Sequence, residues 1–166
     1  MRPLFKLAGD DVIVADDTFI DVADEDAIPE GDVIVSLTRF QAEGEGLLSS
    51  GRKIGVRIQA DEAVEDLAYD LPRLALVAPV FPKYRDGRAY TTATLLRERL
   101  GFTGEVRAVG DVLREQAGFM VRCGFDAFQP ADEATPAEWR AAIHRHRHVY
   151  QRAADARAPA FAERRA

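Results

Sequence analysis

The fold of this chain is decided by residues 74–128, which read LALVAPVFPKYRDGRAYTTATLLRERLGFTGEVRAVGDVLREQAGFMVRCGFDAF. Three apolar runs typical of β-strands, at 74–80, 105–109 and 125–128, alternate with two segments of helical period. Because parallel neighbours need a crossover connection, helices between consecutive strands predict a parallel sheet. The stretch therefore indicates an α/β domain.

Two further apolar runs, at 33–37 and 53–58, bring the expected sheet to about five mostly parallel strands with βα repeats. A half-barrel is the first architecture we expect, and an open flavodoxin-like sheet is the second. Residues 12–15 and 18–22, around Asp16-Asp17, predict an N-terminal β-hairpin. We expect one domain over 1–154, in which 1–32 form the hairpin and an acidic loop, followed by a flexible tail at 155–166.

The composition limits the classes of protein. A chain of 166 residues with 47% hydrophobic content suits one domain with a substantial core. It has no apolar run long enough to span a membrane and no export signal, so we expect a cytoplasmic protein without a membrane partner. Its single cysteine rules out an internal disulfide, and no dinucleotide, phosphate-loop or paired-cysteine motif is present. We expect neither a cofactor nor a metal.

The charge is distributed unevenly along the chain. Residues 1–70 carry 17 Asp/Glu and 6 Lys/Arg, whereas 71–166 carry 11 and 16, so the two halves are about −11 and +5 within a net charge of −6. An acidic protein without interleaved basic and aromatic residues is a poor nucleic-acid binder. The positive half suits a small anion or an acidic protein partner.

Polar residues follow two of the expected strands. In parallel sheets ligands bind beyond the carboxyl ends of the strands. Cations beside a helix N-terminus suit an anion, and the candidates are Lys83, Arg85, Arg88 and Arg114. The candidate acid or base residues are Asp86 and Asp111. The structural alternatives are that Asp111 only caps the following helix, with Arg114 paired to it, and that the Lys83–Arg88 loop only covers the strand ends.

The clearest helix start lies in the last third of the chain. Thr135-Pro136-Ala137-Glu138 has the pattern of a capping box with proline at the first helical position. Trp139 and Ile143 follow at a four-residue spacing, which predicts a helix that packs on the domain through that face.

Several short motifs within residues 74–128 resemble those of a known family. They are Phe-Pro-Lys at 81–83, Asp-Gly-Arg at 86–88, Leu-Leu-Arg-Glu-Arg at 95–99, GEVRAVGDVLR at 104–114 and CGFDAF at 123–128. With these the chain closely resembles the bacterial domain of unknown function 934 family. The match is long and specific over 76–128, and it is looser over 31–59 and at Tyr150-Gln151.

The resemblance implies a function, because relatives are described as probable oxidoreductases involved in sulfite reduction. Since no redox-cofactor motif is present, the sequence leaves open whether the protein is an enzyme. Our first hypothesis is an accessory factor of assimilatory sulfite reduction that contacts sulfite reductase and binds an oxyanion at the strand ends. The alternative is an enzyme acting on a small phosphorylated or anionic metabolite with an Asp acid or base. An open half-barrel has exposed edges, so we also expect a homodimer.

Overall fold

A computed structural model describes residues 2–155 and 157–163. Within these ranges the chain forms eight strands: β1 (Leu4–Ala8), β2 (Asp11–Ala15), β3 (Phe19–Asp21), β4 (Asp32–Ser36), β5 (Ile54–Ile58), β6 (Leu76–Phe81), β7 (Glu105–Gly110) and β8 (Ala127–Phe128). The helices are α1 (Leu37–Leu48), α2 (Arg88–Thr94), α3 (Ala117–Cys123), α4 (Pro136–Ile143) and α5 (Ala160–Glu163). A π-helical turn, Leu95–Arg99, extends α2, and short 3₁₀ turns lie at Val64–Leu67, Leu71–Arg73 and Arg114–Gln116.

All eight strands belong to one sheet, in the order β2-β1-β8-β7-β6-β5-β4-β3. Strands β3 to β8 are parallel, and the β1–β2 hairpin joins β8 antiparallel. The predicted α/β class and N-terminal hairpin are confirmed, with more strands than expected. The parallel strands follow one another in chain order across the sheet. In a flavodoxin-like sheet the strand order reverses direction, so that alternative is excluded.

The sheet is strongly curled. Laid flat, eight strands about 4.8 Å apart would separate the two edge strands by about 34 Å. The edge strands β2 and β3 are nevertheless joined only by residues 16–18, and the chain from Ala15 to Phe19 reaches at most about 14 Å. The two edges must therefore approach each other, which gives the half-barrel.

The hairpin turn is not where the sequence predicted it. β1 pairs with β2, with Ala8 opposite Asp11, so the turn lies at Gly9-Asp10, where Gly9 has a φ of 63°. The expected turn residues Asp16-Asp17 instead lie in the connector between the two edges of the sheet. The strand after them, β3, pairs in parallel with β4. Two apolar runs with a short acidic break resemble a hairpin locally, and only the tertiary arrangement separates them.

Alternating strand residues serve two different cores. The main core lies between the sheet and the helices, where α4 packs Trp139 against Phe5 and Phe128 at ring-centroid distances of 5.9 and 4.9 Å. The helix start predicted for α4 is confirmed, since Thr135 and Glu138 form a reciprocal capping box. A second, smaller cluster consists of Ile34, Leu76 and Ala78 with Phe19 and Val109. It lies on the concave face, away from the helices.

Part of the predicted tail contacts the domain. The Arg157 guanidinium donates to the carbonyl oxygens of His146 and Arg147, each at 2.9 Å, and Asp155 pairs with Arg122 at 2.5 Å. Residues 156 and 164–166 of that predicted tail lie outside the described residues.

Candidate functional site

The segments after β6 and β7 lie side by side at the carboxyl end of the sheet. Phe81 is opposite Gly110, and the Asp111 N–H donates to the Phe81 carbonyl oxygen at 2.8 Å. The Asp111 carboxylate in turn accepts from the Tyr84 N–H at 2.7 Å. Gly110 has a φ of 99°, and a Cβ there would overlap the Phe81 carbonyl oxygen, so a residue without a side chain permits this close approach. We call residues 82–88 and 110–114 the rim.

Asp111 does not cap a helix, contrary to one alternative from the sequence. The chain is extended at Leu113, a 3₁₀ turn follows, and α3 begins only at Ala117. The Gln116 side chain accepts from the Leu113 N–H at 3.0 Å and donates to the Tyr84 carbonyl oxygen at 3.2 Å. Asp111 and Gln116 together fix the loop after β6 onto the segment after β7.

The predicted anion-binding cations divide into two groups. Arg88 forms two hydrogen bonds to Asp86, at 3.0 and 2.6 Å, and Arg114 pairs with Glu138 at 2.5 Å rather than with Asp111. Lys83 and Arg85 are exposed and have no ion-pair partner among the described residues. The rim therefore has two cations that carboxylates already neutralise and two that extend into solvent.

The ion pair of Arg88 limits what Asp86 can do. Hydrogen bonds from the Arg88 side chain and backbone lower the pKa of Asp86 to about 2. At neutral pH Asp86 is ionised, so it has no proton to donate as a general acid. The Asp111 carboxylate already accepts a hydrogen bond from the Tyr84 N–H, so it has a structural role.

A cavity of about 290 Å³ lies on the concave face of the sheet. Several lining residues sit at or next to the end of a strand: Asp21 is the last residue of β3, Arg57 is one before the end of β5, and Val109 is one before the end of β7. Gln129, which follows β8, also contributes. Other lining residues, Phe19, Ile34, Ala78 and Arg107, lie at the start or in the middle of their strands, so the cavity extends from the middle of the concave face towards the carboxyl ends, where ligands of βα proteins bind.

Arg107 is the central polar residue of this inner cavity. Its side chain is 1% exposed, and it donates from Nη1 to Asp17 at 2.7 Å and from Nε to Glu105 at 2.6 Å. The guanidinium carbon also lies 5.7 Å from the centre of the Phe19 ring. Nη2 is buried and has no hydrogen-bond partner among the described residues. The connector residue Asp17 thus reaches across the concave face to the middle of the sheet, but it leaves one donor of Arg107 unsatisfied.

The residues that line the inner cavity are partly polar and partly apolar. Arg57, which pairs with Asp21, adds a second guanidinium, and Gln129 adds an amide whose side chain makes no hydrogen bond to any described residue. The apolar lining residues are Phe19, Ile20, Ile34, Ala78 and Val109. The arrangement can bind a ligand that has a hydrogen-bond acceptor at one end.

The inner cavity residues were missed from the sequence. Arg57 and Arg107 each occupy one position of an alternating strand, and such charges ordinarily face solvent. One signal was available, because strands of a parallel sheet are usually buried on both faces, so a charged residue inside one needs partners. The partner Asp17 is 90 residues away and could not be identified from spacing.

Other groups that could bind a metal or react are few. Within 2–155 and 157–163, no three His, Cys, Asp or Glu side chains are placed to hold a metal ion. Cys123 is buried, and burial raises the pKa of its thiol. No helix in the described part of the chain is long and apolar enough to cross a membrane.

The fold and the site define a class of protein: a βα half-barrel with a cavity on its concave face whose lining is partly polar and partly apolar. Comparison with known families matches residues 55–161, more than half of the chain, to the family described as bacterial protein of unknown function (DUF934). The chain belongs to this family, as the sequence motifs indicated. Searches of curated proteins and of solved structures found no match.

Proposed function

We propose that this protein binds a small ligand carrying an oxyanion in the inner cavity and acts as an accessory factor of assimilatory sulfite reduction. The observation that carries the binding proposal is the buried Nη2 group of Arg107, which lacks a hydrogen-bond acceptor. A buried donor without a partner costs about 1–3 kcal/mol. Nη2 has almost no accessible surface, so a ligand oxygen would reach it only after a shift of neighbouring side chains; it would then remove that cost through a charge-assisted hydrogen bond, which is the strong kind.

The charges around the inner cavity suggest how an anion is accommodated. Three cations face three carboxylates across this region: Lys6, Arg57 and Arg107 against Asp17, Asp21 and Glu105. The Arg107 pairs are nearly buried, but Asp21 lies on an edge strand and its side chain is 58% exposed. Asp21 can therefore turn into solvent and release Arg57. The acid group of the ligand then replaces the Asp21 carboxylate as the partner of Arg57.

This exchange predicts the direction in which a substitution of Asp21 changes anion affinity. Asp21→Asn removes the competing charge, so we expect sulfate, sulfite or phosphate to bind more tightly than to the wild type, as measured by calorimetry. Asp66→Asn is the matched control, because Asp66 is exposed and changes the net charge equally. Equal affinities in the Asp21→Asn and Asp66→Asn variants would mean that only overall charge matters.

The location of the anion site can be tested by a pair of arginine variants. Arg57→Gln should abolish the rise in unfolding temperature that sulfate produces, whereas Arg85→Gln on the rim should keep it. Arg57 is preferred to Arg107 because its partly exposed pair can be removed without leaving buried carboxylates unpaired. If Arg85→Gln removes the effect and Arg57→Gln does not, the anion binds at the rim, and the cavity proposal is wrong.

The pathway part of the proposal depends on the family resemblance. Lys83 and Arg85, whose side chains extend from the rim, are candidates for contact with an acidic surface of sulfite reductase. Co-purification of the reductase with the wild-type chain, lost in a Lys83→Glu/Arg85→Glu variant, would support this role. A reductase that never co-purifies, even at low salt, would leave anion binding without the proposed pathway.

A further inference from the structure

We infer that the ligand of the inner cavity is a small organic acid with an apolar body, rather than an inorganic oxyanion alone. This inference rests on the proposed function, because it assumes that an acid group binds Arg57 and Arg107. It adds the chemical class of the ligand, which the lining residues indicate.

The size of the inner cavity is the first argument. About 290 Å³ is close to the lower limit of about 300 Å³ for sites that bind small organic molecules. Sulfate, sulfite and phosphate have four or five non-hydrogen atoms and would occupy only part of this space. The remainder would hold water, whose hydrogen bonds the neighbouring apolar side chains cannot satisfy.

The distribution of the lining is the second argument. Ile34 and Ala78 are 4% and 1% exposed, and Phe19 and Val109 pack with them. Phe19 and Val109 are only partly buried, so an inorganic anion would leave part of their apolar surface in contact with water. An alkyl or aryl group bound there removes that apolar surface from water.

The orientation of the ligand follows from the polar lining residues of the inner cavity. Arg57 on β5 and Arg107 on β7 lie on either side of Ala78 of β6, so the acid group is placed at this pair and the apolar body against Phe19, Ile34 and Val109. The buried lining atom without a partner is a donor, Arg107 Nη2, and a purely cationic ligand could not accept from it. The Gln129 amide can bind one further polar group of the ligand.

The inference is tested with a sulfonate series that keeps the acid group constant. We expect dissociation constants to fall from methanesulfonate to ethanesulfonate to propanesulfonate by about threefold to fourfold for each methylene, the gain typical of burial. Calorimetry on the full chain measures this, with sulfate as the reference for the acid group alone.

A cavity-filling variant locates the apolar end. Val109→Phe enlarges a partly exposed lining residue two positions beyond Arg107 with a residue suited to strands, so it should abolish the gain with chain length while sulfate still binds. Val14→Phe, at an exposed position of β2, is the matched control and should keep the gain. The Arg57→Gln variant should weaken every sulfonate in the series.

The outcomes separate this inference from the proposed function. If sulfate binds and the longer sulfonates bind no better, the organic-acid inference is wrong and oxyanion binding stands. If neither sulfate nor any sulfonate binds, both are wrong. A chain-length gain that survives Val109→Phe and Arg57→Gln would place the apolar site elsewhere and also overturn the inference.

Discussion

The buried ion pair between Arg107 and Asp17 should hold the two edges of the sheet together. Asp17 lies in the short connector between β2 and β3, whereas Arg107 lies inside β7. Arg107→Met keeps an unbranched stem but leaves Asp17 and Glu105, 12% and 15% exposed, without their guanidinium partner. Breaking a buried pair by removing one partner typically costs about 3–5 kcal/mol, so we expect a loss in that range.

A double-mutant cycle assigns this loss to the pair. Once Arg107 is methionine, Asp17→Asn relieves an unpaired buried charge, so it should be far less destabilising than in the wild type, or even stabilising. The coupling energy between the two positions should be about 0.5–3 kcal/mol. Urea denaturation measures each free energy of unfolding, provided that the slope with denaturant stays constant across the four proteins.

An exposed pair provides the control. Arg73 binds Glu45 through two hydrogen bonds at the surface, and Arg73→Met should leave the urea midpoint essentially unchanged. The reasoning is refuted if Arg107→Met costs less than about 1 kcal/mol, or if the effects of Arg107→Met and Asp17→Asn are additive. Either result would mean that the connector is held by its backbone and not by this pair.

Three further predictions concern the rim and the main core. The lowered pKa of Asp86 means that its pairing with Arg88 stabilises the fold above about pH 4, and that this stabilisation is lost as the pH falls through about 2. Carboxyl NMR should show Asp86 titrating at this low pH, and the pKa of Asp86 should be higher in Arg88→Gln. Gly110→Ala should destabilise the protein by about 1–3 kcal/mol or more, because φ at this position is positive and the added Cβ overlaps the Phe81 backbone. The Cβ added by Gly46→Ala in α1 meets no neighbouring atom, so this variant should stabilise the protein by up to about 1 kcal/mol. Denaturant titration of both variants tests the contrast. Because burial raises its pKa, Cys123 should react with iodoacetamide much more slowly in the native protein than in urea, and equal rates would show that it is accessible.

Much of the architecture could be predicted from local patterns. The alternation of apolar runs with helical segments determined the α/β class and the parallel sheet, and the Thr135–Glu138 capping box located the start of α4. These features depend on residues close together in the chain, whose backbone preferences and side-chain period are visible in the sequence. The two rim segments lie side by side for the same reason, since the carboxyl ends of adjacent parallel strands lie at one edge of the sheet.

The partners of charged side chains were decided by the tertiary structure alone. Arg114 could reach Asp111 or a distant carboxylate, and the packing of α4 brings Glu138 to it. The sequence likewise predicted a turn at Asp16-Asp17, but the curled sheet makes that segment its connector and directs Asp17 to Arg107. Local patterns determine which segments become strands and helices, whereas strand order and curvature determine which side chains meet inside the half-barrel. The inner cavity depends on the second of these, and for that reason the sequence by itself did not reveal it.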